Sequence, residues 1–420
     1  MHTHTTLLTD KKQSTLNTVQ GLTLTEIAKE FGTPLYVYDA EKIISQIDKL
    51  RTLFSATRLQ LKYAAKSLTN ISVLKLIKSQ GIGLDVVSIE EAHLGLRAGF
   101  AAGEISYTPN GVSFEEIQEA VELGVAINID NLPMLERFGQ TYAGSVPCCV
   151  RINPSIMAGG HSKISVGHKF SKFGISALHV RELVAIVEKY KIDISGVHVH
   201  TGSDITDVDV FLMSARVVFE VARHFDKLRF IDFGSGFKVN YKAGDKVTNL
   251  EELAEKLQTA FRDFCTEYGR ELELWLEPGK IIVSEAGTFL AKVNVVKENP
   301  DVTFVGLDSG FNHLIRPMFY DAYQHIENVS NPQGPIRKYD VVGYICETDT
   351  FGRERELNEV RPGDILAIRN AGAYGFSMAS NYNSRRKPAE VMIYKGQAQL
   401  IRQRETLDDI LRNQIEIDLS

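Results

Sequence analysis

From residue 59 onward the chain repeats one cadence eight times: a short apolar or β-branched run, a polar turn, then a stretch with helical periodicity. The runs are LQLKYAAK, GLDVVS, EISYTP, AINID, CCVRINP, GVHVH, FIDFGSG and LWLEPGK, separated by segments such as EEAHLGLRAG, SFEEIQEAVELG and NLEELAEKLQTAFRDFCTEYG. Strands that alternate with helices must pair in parallel, and eight such units close more readily into a (β/α)8 TIM-like barrel than they spread into an open sheet. The fold class expected is therefore α/β.

After residue 283 the cadence changes. TFLAKVNVVKE, VTFVGLD, YDVVGYICET, DILAIRNAG and AEVMIYKG follow one another without intervening helices, which predicts a C-terminal antiparallel β-sandwich or barrel domain. The expected organisation is a polar, Thr-rich mobile tail over 1–20, a segment over 21–37 that supplies a strand to the β domain, the barrel over 38–283 and the β domain over 284–420. His2 and His4, in the tail, read as solvated residues and not as a metal site.

At 420 residues and 44% hydrophobic, the chain can bury two cores. A net charge of −6 without a long Lys/Arg run leaves no footprint for nucleic acid, so the expected partner is a small molecule. No run approaches the roughly 20 apolar residues a membrane helix needs. The N-terminus lacks the charged and apolar regions of a signal peptide, and a cytoplasmic protein is expected. Cys148, Cys149, Cys265 and Cys346 are irregularly spaced with no CxxC, and read as free thiols with no metal bound.

A (β/α)8 barrel carries its chemistry at the C-terminal ends of its strands. There this chain places Lys66, Asp85, Ser88, Arg151, Asn153, His200, Ser203, Gly234, Gly236 and Glu277. Any one polar strand end is ordinary; their convergence on one mouth is the signal. An aldehyde cofactor with a phosphate and a pyridine ring needs an amine, an anion cradle, a group on the ring face and a carboxylate for the ring nitrogen. Lys66, closing an apolar run, either reaches out to water or serves as an amine of lowered pKa. The glycines of FGSGF let backbone N–H groups approach a phosphate. His200 suits the ring face and Glu277 the ring nitrogen.

Several stretches extend this reading. YAAKSLTN resembles a YAxKAN lysine motif, HVHTGS an HxHxGS motif, FGSGF a glycine loop, EPGK an EPGR motif and CETDTFGRE a CES motif, while GAYGFSMASNYNSRRKPAEV is close to a C-terminal signature throughout. On these motifs the chain, from about residue 30 to about 400, resembles the diaminopimelate decarboxylase family of pyridoxal 5'-phosphate (PLP) enzymes, group IV decarboxylases of the alanine-racemase-like fold.

The resemblance implies decarboxylation of meso-2,6-diaminopimelate to L-lysine and CO2, the last step of lysine biosynthesis. It implies that Lys66 carries PLP and that Asp85, Arg151, His200, Ser203, Gly234, Ser235, Gly236, Glu277, Gly279 and Tyr374 bind it. Cys346 would protonate Cα from the second subunit of a homodimer. Lys280, Arg316, Tyr320, Glu347 and Tyr374 would take the distal end of the substrate, Arg316 and Tyr320 lying in NHLIRPMFYDAY. Read by itself, a cysteine at a strand end is more often a small core residue than an acid.

Three departures stand out: EPGK for EPGR exchanges a bidentate fork for a point charge, GSG for GGG places a donor hydroxyl near the phosphate, and KSLTN for KAN adds residues after the lysine. The competing readings are a racemase or a decarboxylase of arginine, ornithine or a carboxylated polyamine on the same fold, and a catalytically dead binding protein. Arg316, unpaired with a substrate lacking a distal carboxylate, speaks against the first. Retention of Lys66, Glu277 and Cys346 speaks against the second.

Overall fold

The computed structural model describes residues 17–156, 167, 168 and 170–419; residues 1–16 of the tail expected over 1–20, with His2 and His4, lie outside them. The chain divides into two compact units. One comprises Ile44–Asn240 with Gly244–Ile282, the other Met1–Ile43, Tyr241–Ala243 and Val283–Ser420.

The first labelled strand, β1 (Leu35–Asp39), belongs to the second unit. The next eight, β2 (Leu59–Ala64), β3 (Gly83–Val86), β4 (Ile105–Tyr107), β5 (Ala126–Ile129), β6 (Cys148–Asn153), β7 (Ile194–Val199), β8 (Phe230–Asp232) and β9 (Glu273–Leu276), are the eight expected runs. Each pairs in parallel with the next, and β9 returns to β2 with Leu274 opposite Leu59, so the sheet closes.

The longer helices are α1 (Leu24–Phe31), α2 (Ala40–Leu53), α3 (Ile71–Ser79), α4 (Ile89–Ala98), α5 (Phe114–Leu123), α6 (Leu132–Tyr142), α7 (Val180–Tyr190), α8 (Val208–Ala222) and α9 (Leu250–Tyr268); α3 to α9 follow β2 to β8 in turn, and single-turn helices cover Lys280–Val283, Arg316–Tyr320 and Leu407–Leu411. The polar turns work as caps. Asn70, Ser88, Ser113, Asn131 and Asn249 accept N–H groups of the first turns of α3, α4, α5, α6 and α9. Ser88, expected at the barrel mouth, is thus a helix cap.

The second unit adds β10 (Gly287–Glu298), β11 (Thr303–Leu307), β12 (Ile326–Asn328), β13 (Ile336–Val342), β14 (Thr350–Asn358), β15 (Ile365–Ile368), β16 (Ala389–Tyr394) and β17 (Gln397–Arg402). Its sheet runs β14-β13-β11-β10-β1-β16-β17, antiparallel except where β11 meets β13 and β1 meets β16. The N-terminal segment is part of this core: Leu24 and Ile27 of α1 pack with Leu35, Val37, Leu290, Val391 and Ile393. Thr23 and Glu26 form a capping box on α1.

Two features depart from expectation. The tail read over 1–20 is anchored from residue 17: Thr18–Val19 pairs with Leu22–Thr23, and the Gln20 amide donates to Asp39 Oδ1 (2.7 Å) and the Ile393 carbonyl (2.9 Å). YDVVGYICET is not one strand, because β13 ends at Val342 and the chain then folds around the Asp349 carboxylate, which accepts the N–H groups of Phe311 (2.9 Å) and Ile345 (3.0 Å). Its own strand continuation, β14, was hidden by the charged face of FGRERELN.

Candidate active site

β2 ends at Ala64, and a single 3-10 turn over Ala65–Ser67 carries Lys66. The residues that extend KSLTN have structural work: Leu68 is buried and its carbonyl accepts the Tyr63 hydroxyl (3.1 Å), while Asn70 caps α3. Lys66 is half-buried. Its charge acts on Asp85, Glu91, His198, His200 and Glu277, so these groups share one electrostatic neighbourhood.

Glu277 follows β9 and is buried against His198, whose Nε2 lies 3.1 Å from Glu277 Oε2. Burial pushes the Glu277 carboxyl up, but the hydrogen bond with His198 and the charge of Lys66 hold the acid below the ordinary carboxylate range. Burial also holds His198 below the usual imidazole value. A neutral imidazole donating Nε2–H to an ionised Glu277 meets both conditions and leaves Nδ1, which has no hydrogen-bond partner, as a bare acceptor. His200, two residues on, is likewise kept neutral, mainly by burial and then by Lys66 and Arg151, and its Nδ1 accepts the Ser235 N–H at 3.4 Å.

The glycine loop after β8 is tied to Glu277 at two points and to Asp232 at a third. Gly234 N–H donates to Asp232 Oδ1 (2.9 Å), Glu277 N–H donates to the Gly234 carbonyl (2.8 Å), and the Ser235 hydroxyl donates to the Glu277 carbonyl (2.9 Å). The Ser235 hydroxyl, expected as a donor for phosphate, is therefore engaged within the loop. Gly236 has φ +101°, and a Cβ there would lie 2.1 Å from the Gly202 carbonyl oxygen. Gly236→Ala is expected to strain both the conformation and this contact, lowering Tm and the PLP retained after gel filtration; an unchanged variant would show that the close approach is dispensable.

Asp85 is buried and its carboxyl is pushed well above the ordinary value, by burial first and by Glu277 next. Arg151 is buried with its guanidinium 4.8 Å from the Phe173 ring. Asn153 is buried and donates to the His168 and Phe173 carbonyls (3.2 and 3.1 Å), bracing a loop. Gly279 lies against Ser67. Lys280 is not an open cation: its ammonium bonds Asp204 Oδ1 (2.7 Å) and Ser203 Oγ (2.8 Å), which occupies two of its three N–H groups.

In the β unit, Arg316 is buried with its Nη2 donating to the Tyr241 hydroxyl (3.2 Å). The rings of Tyr241, Tyr320 and Tyr374 surround its guanidinium at 5.5, 5.7 and 5.9 Å. Among the described residues no carboxylate pairs with it. Cys346 is exposed and its sulfur accepts the Asn383 amide at 3.3 Å, while neighbouring Glu347 accepts the Tyr382 hydroxyl.

The family described as "Pyridoxal-dependent decarboxylase, pyridoxal binding domain" matches residues 40–284. A diaminopimelate decarboxylase of Methanothermobacter thermautotrophicus is 38% identical over 406 residues, covering 94% of this chain and 95% of the relative. The chain belongs to the diaminopimelate decarboxylase family. Among solved structures, the Helicobacter pylori diaminopimelate decarboxylase complexed with L-lysine is 32% identical with a TM-score of 0.85, covering 92% of this chain and 98% of that one. The diaminopimelate decarboxylase of M. jannaschii is 31% identical with a TM-score of 0.87, covering 94% and 95%.

The family's cofactor is PLP, and the barrel mouth fits it. The buried Glu277 Oε1 and Asp85 Oδ1 have no hydrogen-bond partner among the described residues, which leaves acceptors for a ring N–H. Two residues of this mouth were not anticipated from the sequence: His198 and Asp232. Each stands two positions before an anticipated residue, within the strand that the anticipated residue follows.

Proposed function

We propose that the chain decarboxylates meso-2,6-diaminopimelate to L-lysine and CO2 as the last step of lysine biosynthesis, in the cytoplasm, as a homodimer whose sites are completed by Cys346 and Glu347 of the second copy. The observation that carries this reading is the buried Glu277 carboxyl at the end of β9, 3.1 Å from His198 and sharing its surroundings with Lys66. It gives a ring nitrogen a permanent anion.

When bound at Lys66, PLP supplies the electron sink for the pair released as the Cα–carboxylate bond breaks and CO2 leaves. The residues do the rest. Glu277 accepts the ring N–H and keeps that nitrogen protonated. His200, neutral, faces the ring without adding charge. The Gly236 N–H and the Ser203 hydroxyl, whose oxygen already accepts from Lys280, would take the phosphate with Arg151, Gly279 and Tyr374 around it, while Asp85 lies toward Glu277 and Lys66. Cys346 then gives its proton to Cα, replacing the lost carboxylate; the Asn383 amide steadies the sulfur. Arg316 pairs with the distal carboxylate inside its ring of tyrosines, and Glu347 takes the distal ammonium.

Incubating the PLP-loaded protein separately with meso-diaminopimelate, lysine, ornithine and arginine and measuring CO2 should give release from diaminopimelate alone. Release from ornithine and not from diaminopimelate would overturn the assignment. Within the pocket, Arg316→Ala should lower kcat/KM about a hundredfold, because a charge-assisted partner is lost from a desolvated site, while PLP content stays intact. Lys280→Ala should cost less than that, since Asp204 already neutralises the ammonium. If the order of the two losses is reversed, Lys280 and not Arg316 is the main anchor.

A further inference from the structure

We infer that Asp232 is a positioning residue, present as a neutral carboxylic acid whose proton bridges to Glu277 and fixes it against the glycine loop. The geometry starts with burial: Asp232 is wholly inaccessible and Glu277 nearly so. A ligand-capable atom from each of His198, Asp232 and Glu277 lies within 4.8 Å of the others. Asp232 Oδ1 is accounted for by the Gly234 N–H at 2.9 Å. Its Oδ2 and the Glu277 Oε1 have no hydrogen-bond partner of their own. Two buried carboxyls this close together repel if both are ionised, and a proton on one of them removes the repulsion.

One proton resolves the arrangement. On Asp232 it makes Oδ2 a donor to Glu277, which has lone pairs enough to accept from His198, from Asp232 and from a ring N–H together. The proton belongs on Asp232 because His198 Nε2 faces Glu277, at 3.1 Å, and not Asp232. The charged and titratable groups acting on Asp232 or beside it are Glu277, Asp85, Lys62, Arg151, Cys149 and His198. Burial, then Glu277, pushes the Asp232 carboxyl well above its ordinary value, in keeping with the geometry.

Thermal unfolding of the cofactor-free protein against pH tests the protonation state without any dependence on PLP or substrate. An acid that stays protonated when folded and ionises at about pH 3.9 when unfolded binds the extra proton in the folded state, so its contribution to stability falls as pH rises above about 4. Asp232→Asn keeps both hydrogen bonds and has no such loss. The Tm difference, variant minus wild type, should therefore become more positive from about pH 4 to pH 8. A difference that is flat or grows more negative overturns the inference, because it would mean an Asp232 that is ionised in the fold.

The positioning role is read from a rescue pattern. Asp232→Ala should lower kcat about ten- to a hundredfold with KM little changed, as Glu277 loses its support. Asp232→Asn, which restores a donor, should recover most of that loss. If asparagine is as damaging as alanine while both proteins remain folded by circular dichroism, the bridge does not position Glu277 and the role fails.

Discussion

Borohydride reduction of the PLP-loaded protein is expected to leave the cofactor on a single peptide, the one containing Lys66, and Lys66→Ala is expected to retain none covalently and to lose about ten-thousandfold or more in kcat. The reason is position as much as chemistry. Lys66 rides on a short turn immediately after a barrel strand, with Glu277, Asp85 and both histidines acting on it. Peptide mapping of the reduced protein checks the assignment. A reduced adduct on any other lysine removes Lys66 from its role.

The second large effect concerns Cys346. As the acid that delivers a proton to Cα, it should contribute roughly a hundred- to ten-thousandfold, which Cys346→Ala would forfeit. If each site takes Lys66 from one copy and Cys346 from another, an equal mixture of Lys66→Ala and Cys346→Ala proteins should recover about a quarter of normal activity after subunit exchange in a two-fold dimer. Half the dimers would be mixed, and each would hold one intact site. Confirmed exchange with no recovered activity would place both residues in the same copy's site.

The barrel was readable because its punctuation is local. Each strand is bounded by a cap or turn residue whose preference comes from its own side chain, as at Asn70, Ser113 and Asn249, and those signals do not depend on distant contacts. The β unit was harder. β14 carries Arg353, Glu354 and Glu356 on an exposed face, and only its pairing with β13 makes it a strand. Within the mouth, the residues anticipated were those at strand ends. His198 and Asp232, like Lys62 lower in the barrel, stand inside apolar runs, where a charge reads as noise. A charged or imidazole side chain in LQLKYA, GVHVH or RFID cannot be buried without partners, so each was itself a sign of an interior polar network. The Lys280–Asp204 pair was invisible for another reason: it depends on two loops some seventy residues apart meeting in space.

The strand β1 has a bearing on synthesis. Leu35 pairs with Leu290 on one side and with Ala389 on the other, so β1 gains its second neighbour only about 350 residues after it is made. At about 5 to 20 residues per second that interval is roughly 20 to 70 s, during which β1 exposes an apolar edge that nothing translated earlier can cover. The barrel strands, by contrast, are complete once Leu276 has emerged. A nascent chain therefore holds a finished barrel and an unfinished β unit for much of translation. Truncation anywhere before Ala389 makes that state permanent, turning β1 and its partner β10 into a lasting site for chaperones or aggregation.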